Sequence, residues 1–336
     1  MSDRTEAPAH IKAVALGGGH GLHASLSALR LLTPDLTAVV TVADDGGSSG
    51  RIRRELNVLP PGDLRMALAA LAGTEPEHRD WAELLQHRLG GTGVLAGHPL
   101  GNLLLTGMLE RDGDPQGALA RLAGLVGAVG RVLPMSPVPL DLIAEADRFD
   151  PEDPDRTRQI RGQSSIAATP GRVRSVALLP PGAPACADAV DAVREADVVV
   201  LGPGSWFTSV IPHLLLRELG SALCTTRAQV IVTLNLVPQV GETDDYAPHE
   251  LVRLLLSHAE PWGGLNVAAV VADGEAVSDA KELADYTRAI GARLVLSRLS
   301  ADDSDERHDP KKLSVALQQA ISAIEDVPAN SDEDGG

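Results

Sequence analysis

Two adjacent carboxylates, followed by glycines, serines and arginines, form the segment of this chain with the most chemical potential. Asp44 and Asp45 follow the apolar run VVTVA, and the chain then reads GGSSGRIRREL. Glycine lets the backbone approach a ligand closely, and open α/β sheets bind ligands at the carboxyl edge of their strands. The segment, with Gly46 and Ser48, therefore predicts a loop that binds a phosphorylated or sugar-like molecule.

The residues alone leave three roles open for the two aspartates. They can accept hydrogen bonds from the hydroxyls of a ribose or sugar, hold Mg²⁺ against a diphosphate, or cap the turn GGSSG. Four nearby arginines can form bidentate hydrogen bonds with phosphate, although arginines after a turn are more often solvent-exposed. These arginines are Arg51, Arg53, Arg54 and Arg65.

A first glycine loop, GGGHG, lies between an apolar strand and a helix with leucines at helical spacing. Gly19, Gly21 and Ala24 satisfy the pattern G-x-G-x-x-A, and an acid follows the next strand, which by itself suggests a dinucleotide such as NAD. The same glycines also arise wherever a helix packs closely on a strand. The loop is not a P-loop, because no Gly-Lys-Ser/Thr follows.

A second glycine loop, LGPGSWF, also joins a strand to a helix. Gly202, Gly204 and Ser205 would present N–H groups at a helix N-terminus, where the macrodipole favours an anion, so that two loops could hold two phosphates. The alternative is a tight turn in which Ser205 caps the helix. Further polar groups at loop positions are His98, which could also cap a helix, Asn102 and Asn235.

The elements that must position these residues alternate between apolar strands and amphipathic helices. Such alternation predicts an α/β fold: a Rossmann-like, mostly parallel sheet with helices on both faces and a small irregular insertion in the middle. We predict one domain over 11–325, an insertion at about 132–176, and flexible tails at 1–10 and 326–336. The predicted strands are 11–16, 37–43, 172–179, 197–202, 229–236, 266–274 and 293–299. The main predicted helices are 63–72, 79–89, 101–111, 115–128, 187–196, 206–219, 247–259, 277–289 and 310–324.

Composition excludes several classes of function. The net charge of −17 argues against a nucleic-acid partner, which needs a basic face, and 2% aromatic residues supply no stacking platform. No run of 18 apolar residues and no signal sequence is present, so we expect a cytoplasmic protein without membrane insertion. Cys186 and Cys224 lack the spacing of a disulfide framework or a zinc site.

Seven motifs in a fixed order carry a family resemblance over about residues 11–315. The chain resembles the YvcK family of gluconeogenesis factors, which is related to CofD, the 2-phospho-L-lactate transferase of deazaflavin cofactor synthesis. The transferases have GDD followed by SPDLDT and carry GPSNP at the second glycine loop. This chain has PPGDLR and GPGS there, so it is similar to the YvcK branch. The motifs are GGGHGL, VADDGGSSGRIR, PPGDLR, GHPLGN, GPGSWFTSVIP, NLVPQVGETDDY and RHDPKKL.

The resemblance implies a Rossmann-like protein that binds a UDP-sugar, chiefly UDP-N-acetylglucosamine, and supports cell shape and cell-wall synthesis under gluconeogenic growth. It carries no firmly assigned reaction. Departures from the family pattern include His20 in place of threonine, His23 in place of serine and Gln163 in place of glutamate; the imidazole of His20 can itself donate a hydrogen bond. The residues that the resemblance implies for the site are Gly18, Gly19, His20, Gly21, Leu22, Asp44, Asp45, Gly46, Ser48, Asn102, Gly202, Gly204, Ser205 and Asn235.

Two hypotheses of different classes follow. The chain is a non-catalytic sensor whose UDP-sugar occupancy is read by cell-wall synthesis proteins, as differential affinity for two conformations allows. Alternatively it is a CofD-like transferase that acts on a nucleotide-diphosphate-linked substrate, with Asp44 and Asp45 holding Mg²⁺. The replaced transferase loops favour the sensor. Homo-oligomer formation is left open by the sequence.

Overall fold

The computed structural model describes residues 11–149, 152–153, 155–239, 242–244 and 246–325, so the two predicted tails lie outside the described residues. Twelve strands occur in this part of the chain and are numbered in chain order. They are β1 (Ala13–Gly17), β2 (Leu36–Val40), β3 (Arg131–Pro134), β4 (Asp141–Asp147), β5 (Arg158–Arg161), β6 (Arg172–Leu179), β7 (Val198–Leu201), β8 (Gln229–Thr233), β9 (Val267–Asp273), β10 (Arg293–Ser297), β11 (Ser300–Ala301) and β12 (Ser304–His308).

Helices connect these strands, and they are also numbered in chain order. A π-helical turn, Trp206–Val210, and a 3₁₀ turn, Glu260–Trp262, supplement them. The α-helices are α1 (Gly19–Leu29), α2 (Gly47–Leu56), α3 (Pro61–Leu71), α4 (Pro76–Gln86), α5 (Leu100–Asp112), α6 (Pro115–Leu125), α7 (Gln163–Ala167), α8 (Ala187–Glu195), α9 (Pro212–Leu215), α10 (Arg217–Thr225), α11 (Pro248–Ala259), α12 (Ala280–Ala289) and α13 (Pro310–Glu325). None of the helices described is long and apolar enough to span a bilayer.

A seven-stranded parallel sheet organises the molecule and confirms the predicted Rossmann-like fold. Its strand order is β10-β9-β8-β7-β1-β2-β3. The chain leaves β1 through α1 to β2 on one side, whereas β7 pairs with the other side of β1. The order therefore reverses between β1 and β7, and such a reversal opens a crevice at the carboxyl ends of the two strands.

The inner strands are apolar because helices cover the sheet. Every residue of β1, β2 and β7 is buried, as expected for parallel strands that contact helices on both faces. Helix α1 packs against α3 and α13, while α8 and α10 form a second contact. The backbone of the strand ends is thus held rigidly, which fixes where the following loops begin.

Two predicted strand assignments need correction around the insertion. The strand predicted at 172–179 does not join the parallel sheet; as β6 it belongs to a separate antiparallel sheet of order β5-β4-β6. Its alternating buried and exposed residues are typical of an antiparallel strand with one solvated face. Conversely β3, which the predicted insertion includes from residue 132, forms the edge of the central sheet, where its Pro134 is tolerated.

The glycine-serine segment after Asp45 is helical, contrary to the predicted loop. Helix α2 starts at Gly47 and runs to Leu56, with Asn57 ending it in the left-handed conformation. Glycine and serine are weak helix formers, so the sequence GGSSG masked this helix. The segment thus supplies a helix N-terminus rather than a flexible loop.

Candidate functional site

The two glycine loops interlock at the crevice between β1 and β7. Gly18 precedes the first turn of α1, and a Cβ on Gly21 would lie 2.1 Å from the Pro203 carbonyl oxygen and 2.6 Å from the Gly204 Cα. Gly204 itself has a φ of +136°, a conformation that side chains disfavour. The loops pack backbone against backbone, so glycine is required at both contact points.

Asn235, just beyond β8, holds the second loop in place. Its Oδ1 accepts a hydrogen bond of 2.7 Å from the Gly204 N–H, and its Nδ2 donates one of 3.0 Å to the Gly204 carbonyl. Both polar groups of the amide are therefore engaged by one residue of the loop. Asn235 acts in this structure as a clamp on the loop that borders the crevice.

A carboxylate of the chain occupies the helix start after the second loop. Glu242 is 3% exposed, and its Oε1 accepts hydrogen bonds from the Ser205 hydroxyl and, at 2.9 Å, from the Phe207 N–H. Burial raises the pKa of Glu242, while these bonds and one from the Thr208 N–H oppose the shift. The anion that the sequence predicted at this helix start is, in the structure, an internal carboxylate.

Two neighbouring carboxylates, those of Asp44 and Asp63, lie beside the starts of α2 and α1. Asp44 accepts a 2.9 Å hydrogen bond from the Gly46 N–H, and Asp63 accepts one from the Gly19 N–H at the start of α1. A Cβ on Gly18 would lie 2.4 Å from the Asp63 Oδ2, so this carboxylate sits directly against the loop although the residue keeps some exposed surface. Desolvation, followed by repulsion from Asp44, raises the pKa of Asp63 to about 7. Desolvation also raises the pKa of Asp44.

Asp63 was missed as a site residue by sequence reasoning. It lies in the motif PPGDLR, but the sequence assigned no role to that acid. The available signal was an acidic residue in the first turn of a predicted helix, which most often only complements the helix dipole. The contact with Gly18 is set by the tertiary structure.

Asp45 contacts Gly162 and the first turn of α7, directly after strand β5 of the small antiparallel sheet. Its Oδ1 accepts two hydrogen bonds of 2.8 Å, one from the N–H and one from the hydroxyl of Ser164, in the first turn of α7. A Cβ on Gly162, which has a φ of +96°, would lie 2.2 Å from Asp45 Oδ2. The two adjacent aspartates therefore contact different parts of the molecule.

Ser48, Asn102, His98 and Arg65 form one hydrogen-bonded group beside α2. The Asn102 amide donates a 2.9 Å bond to the Ser48 hydroxyl and accepts a 2.8 Å bond from the Arg65 Nε. The Ser48 hydroxyl and the His98 Nδ1 are 2.7 Å apart. Desolvation lowers the pKa of His98, and it lowers the pKa of Arg65 to about 10.

An open cleft lies above the interlocked loops. The predicted residues His20, Gly21, Gly204 and Asn235 line one wall, and the hairpin β11–β12 supplies another that the sequence did not predict. A mainly apolar pocket adjoins the cleft and shares Asn235 with it. The residues lining the cleft are His20, Gly21, Ala24, Pro203, Gly204, Asn235, Leu236, Val237, Gln239, Glu306, Arg307 and His308.

His308 is the most buried polar residue of the hairpin wall. It is 9% exposed, and desolvation lowers the pKa of its imidazole to about 4, so the ring is neutral near pH 7. Within the described residues, its Nε2 and the Oε1 of Gln239 are buried without a hydrogen-bond partner. The motif RHDPKKL contained this histidine, but nothing in its spacing indicated that the hairpin would reach the crevice.

The remaining predicted site residues, Leu22 and Gly202, have structural roles: one is a buried side chain and the other fixes the backbone of a loop. Leu22 is 1% exposed and packs beneath the first loop, and its N–H bonds the Gly18 carbonyl at 3.2 Å. Gly202 has a φ of +77°, and a Cβ there would lie 2.7 Å from the Thr233 carbonyl oxygen. These residues shape the loops. No cluster of three or more metal-binding side chains occurs among residues that the structure describes.

Comparison with known proteins identifies the family of this chain. The sequence profile of the family described as 2-phospho-L-lactate transferase CofD matches residues 13–321. The chain belongs to this family. Two relatives are named gluconeogenesis factor. The one from Bacillus subtilis is 39% identical over 74% of each chain, and the one from Halalkalibacterium halodurans is 35% identical over 90% of this chain and 94% of that protein. These relatives place the chain in the YvcK branch of the CofD family.

Two further similarities extend over nearly the whole chain. A Mycobacterium tuberculosis protein is 48% identical over 338 residues, which cover 96% of each chain. A crystal structure of a UPF0052 family member from Bacillus halodurans superimposes with a TM-score of 0.82 at 33% identity, covering 93% of this chain and 100% of that chain. The CofD-family fold thus includes the insertion and the carboxyl-terminal elements as well as the central sheet.

Proposed function

We propose that this chain binds a UDP-sugar, chiefly UDP-N-acetylglucosamine, in the cleft between β1 and β7, and that it acts as a sensor of that ligand in the control of cell shape and cell-wall synthesis. The ligand's diphosphate lies over the interlocked loops in this proposal. Proteins of cell-wall synthesis are the proposed readers of its occupancy.

The observation that carries the proposal is the interlocking of Gly21 with Pro203 and Gly204 beneath an open cleft. It brings two glycine-rich backbones to the place where doubly wound sheets bind nucleotides. The adjoining pocket offers apolar groups such as Leu236 and Val237 beside the polar hairpin wall. A nucleotide sugar likewise joins a flat base to a charged and hydroxylated portion, so the two-part cleft suits its chemistry.

Calorimetry with UDP-N-acetylglucosamine and NAD, each with and without Mg²⁺, tests the ligand. We expect UDP-N-acetylglucosamine to bind more tightly, and at a ligand concentration about 100-fold above Kd it should stabilise the fold by about 2.7 kcal/mol. Gly204→Glu places bulk and negative charge beside Gly18 and Gly21, and should abolish binding. Tighter binding of NAD, or full affinity in a well-folded Gly204→Glu variant, would refute the proposal.

A transferase reaction is the second candidate, favoured by the neighbouring carboxylates of Asp44 and Asp63, of which Asp63 contacts the first loop. Two carboxylates are suitable partial ligands for Mg²⁺, which in phosphate sites keeps waters and takes phosphate oxygens. Such an ion would supply charge neutralisation for a group leaving a diphosphate. The chain's own part would be to hold the diphosphate in the cleft above the two loops.

Incubation of the protein with Mg²⁺, UDP-N-acetylglucosamine and a cell metabolite extract separates the two candidates. We expect the nucleotide sugar to remain intact when UDP, UMP and sugar phosphate are followed by chromatography. Release of any of these that scales with protein and disappears in Asp44→Asn would establish the transferase instead of the sensor.

A further inference from the structure

A buried arginine without an ionic partner lies beside the N-terminus of α2. Arg65 is 5% exposed, and among described residues its guanidinium makes one hydrogen bond, from Nε to Asn102. Within that part of the chain, no carboxylate oxygen lies within 4.0 Å of its nitrogens. Asp63 attracts it only at longer range. In the described part of the chain its terminal nitrogens have no partner, so an anion that paired with this mostly buried charge would stabilise it.

The N-terminus of α2, next to Arg65, has backbone N–H groups that can donate hydrogen bonds to an anion. Helix α2 has ten residues, and in the described structure the N–H groups of Gly47 and Ser48 have no hydrogen-bond partner. The Asn102 amide links the Ser48 hydroxyl to the Arg65 Nε, so one side chain joins the guanidinium to the first turn of this helix. Backbone N–H groups at a helix N-terminus and the N–H groups of a guanidinium can both donate hydrogen bonds to the oxygens of a phosphoryl group.

The group lies apart from the nucleotide cleft. Neither the cleft nor its adjoining pocket is lined by residues of α2, α3 or α5. The Asp63 carboxylate lies against Gly18 of the first glycine loop, whereas Asp44 binds the Gly46 N–H at the start of α2. A diphosphate that lay over the loops and also reached Arg65 would lie beside the Asp63 carboxylate, which like-charge repulsion disfavours.

We propose that Arg65, Ser48 and the first N–H groups of α2 form a second binding site, which takes the phosphoryl group of a small phosphorylated molecule distinct from the nucleotide sugar. Asn102 and His98 are positioning residues for this phosphoryl site. The proposal extends the proposed function, but the binding of phosphate to the phosphoryl site can be measured whether or not a nucleotide sugar binds.

Titration of the full chain with inorganic phosphate, followed by calorimetry in phosphate-free buffer, tests the phosphoryl site. We expect Arg65→Met to weaken phosphate binding by at least about tenfold, because a charge-assisted pair is lost. Ser48→Ala should weaken it by a smaller factor. Arg79→Met, at an exposed arginine of α4, is the matched control and should bind like the unaltered chain. Equal phosphate affinity in Arg65→Met and the unaltered chain, or no binding by the latter, overturns the proposal.

Two further measurements test whether Arg65 has only a structural role and whether the chain binds one phosphorylated ligand or two. Arg65→Met removes an unpaired buried charge, so we expect its Tm to be unchanged or higher; a lowered Tm would assign Arg65 a structural role and refute the site. Phosphate should also bind with unchanged affinity when UDP-N-acetylglucosamine is saturating. Competition between the two would show that the site takes the nucleotide's own phosphate, which overturns a distinct second ligand. Failure of UDP-N-acetylglucosamine to bind would refute the proposed function alone.

Discussion

The contact between the two glycine loops depends on the absence of a side chain at Gly21. A Cβ added at Gly21 would clash with the backbone of Pro203, whereas a Cβ added at Gly107 in α5 would have no neighbour within 4 Å. The two glycines therefore have different roles although both lie in helices. One permits backbone contact across the crevice, and the other only weakens its helix.

Gly21→Ala should therefore separate the loops. We expect a loss of about 1–3 kcal/mol in the free energy of unfolding, because the added methyl group must displace backbone, together with loss of UDP-N-acetylglucosamine binding. Gly107→Ala is the control and should stabilise the chain by about 0.4–1 kcal/mol. Denaturant unfolding and calorimetry measure both effects. Normal ligand affinity in Gly21→Ala would show that loop contact does not shape the site.

The Asp63 carboxyl should give the fold a pH dependence of defined sign. Its pKa rises from 3.8 in an unfolded chain to about 7 in the folded protein, so the folded state binds the extra proton. The stability contributed by this proton is fully present below pH 3.8 and is lost as the pH rises to about 7. Asp63→Asn should remove this part of the pH dependence. Unfolding measured from pH 5 to 8 checks it, and parallel curves for both proteins would contradict it.

Hydrogen bonds from loops near the central sheet hold the small antiparallel sheet and helix α7. Asp45, after β2, accepts two hydrogen bonds from Ser164 in the first turn of α7. Tyr246 adds another link, since its hydroxyl donates a 2.5 Å bond to the Val173 carbonyl in β6. The insertion is thereby attached next to the predicted ligand loops rather than at a remote edge.

Asp45→Ala should loosen this attachment. We expect a cost of about 0.5–1.5 kcal/mol for each lost hydrogen bond and faster hydrogen exchange at the amides of 163–167. Asp35→Ala, at an exposed aspartate before β2, is the matched control. Unchanged exchange in Asp45→Ala would mean that packing alone holds α7.

The whole molecule carries a strong negative charge, and its proposed ligand is also anionic. At a net charge of −17, long-range repulsion should slow the arrival of a nucleotide sugar at low ionic strength. Salt shortens the reach of this field, with a screening length of about 30 Å at 0.01 M and about 10 Å at 0.1 M.

The association rate of UDP-N-acetylglucosamine should therefore increase as salt is raised from about 0.01 to about 0.1 M. Stopped-flow measurement of ligand association checks this. A neutral salt such as KCl should be compared with sucrose as a control for viscosity and osmolality. A rate that falls with salt would mean that the arginines near α2 and the hairpin wall dominate the local field.

The sequence by itself determined the doubly wound sheet and the presence of its two glycine loops. Buried parallel strands need continuous apolar runs, and such runs stand out locally at β1, β2, β7, β8 and β9. Motif order was sufficient for the family resemblance, which the comparisons confirm. Glycines between a strand and a helix are likewise visible in the sequence, since their cause is local backbone geometry.

Only the tertiary structure decided which polar groups meet. The exchange of β3 and β6 between sheets depends on pairing partners far apart in the chain, which local periodicity does not specify. In the same way, Asp63 lies against Gly18, Glu242 binds Ser205, Asp45 turns to Ser164, and His308 reaches the crevice. Each contact joins segments that are distant in sequence, and its geometry is set by how helices pack on the sheet. A side chain's type shows what it can bind, whereas the fold determines what lies within its reach.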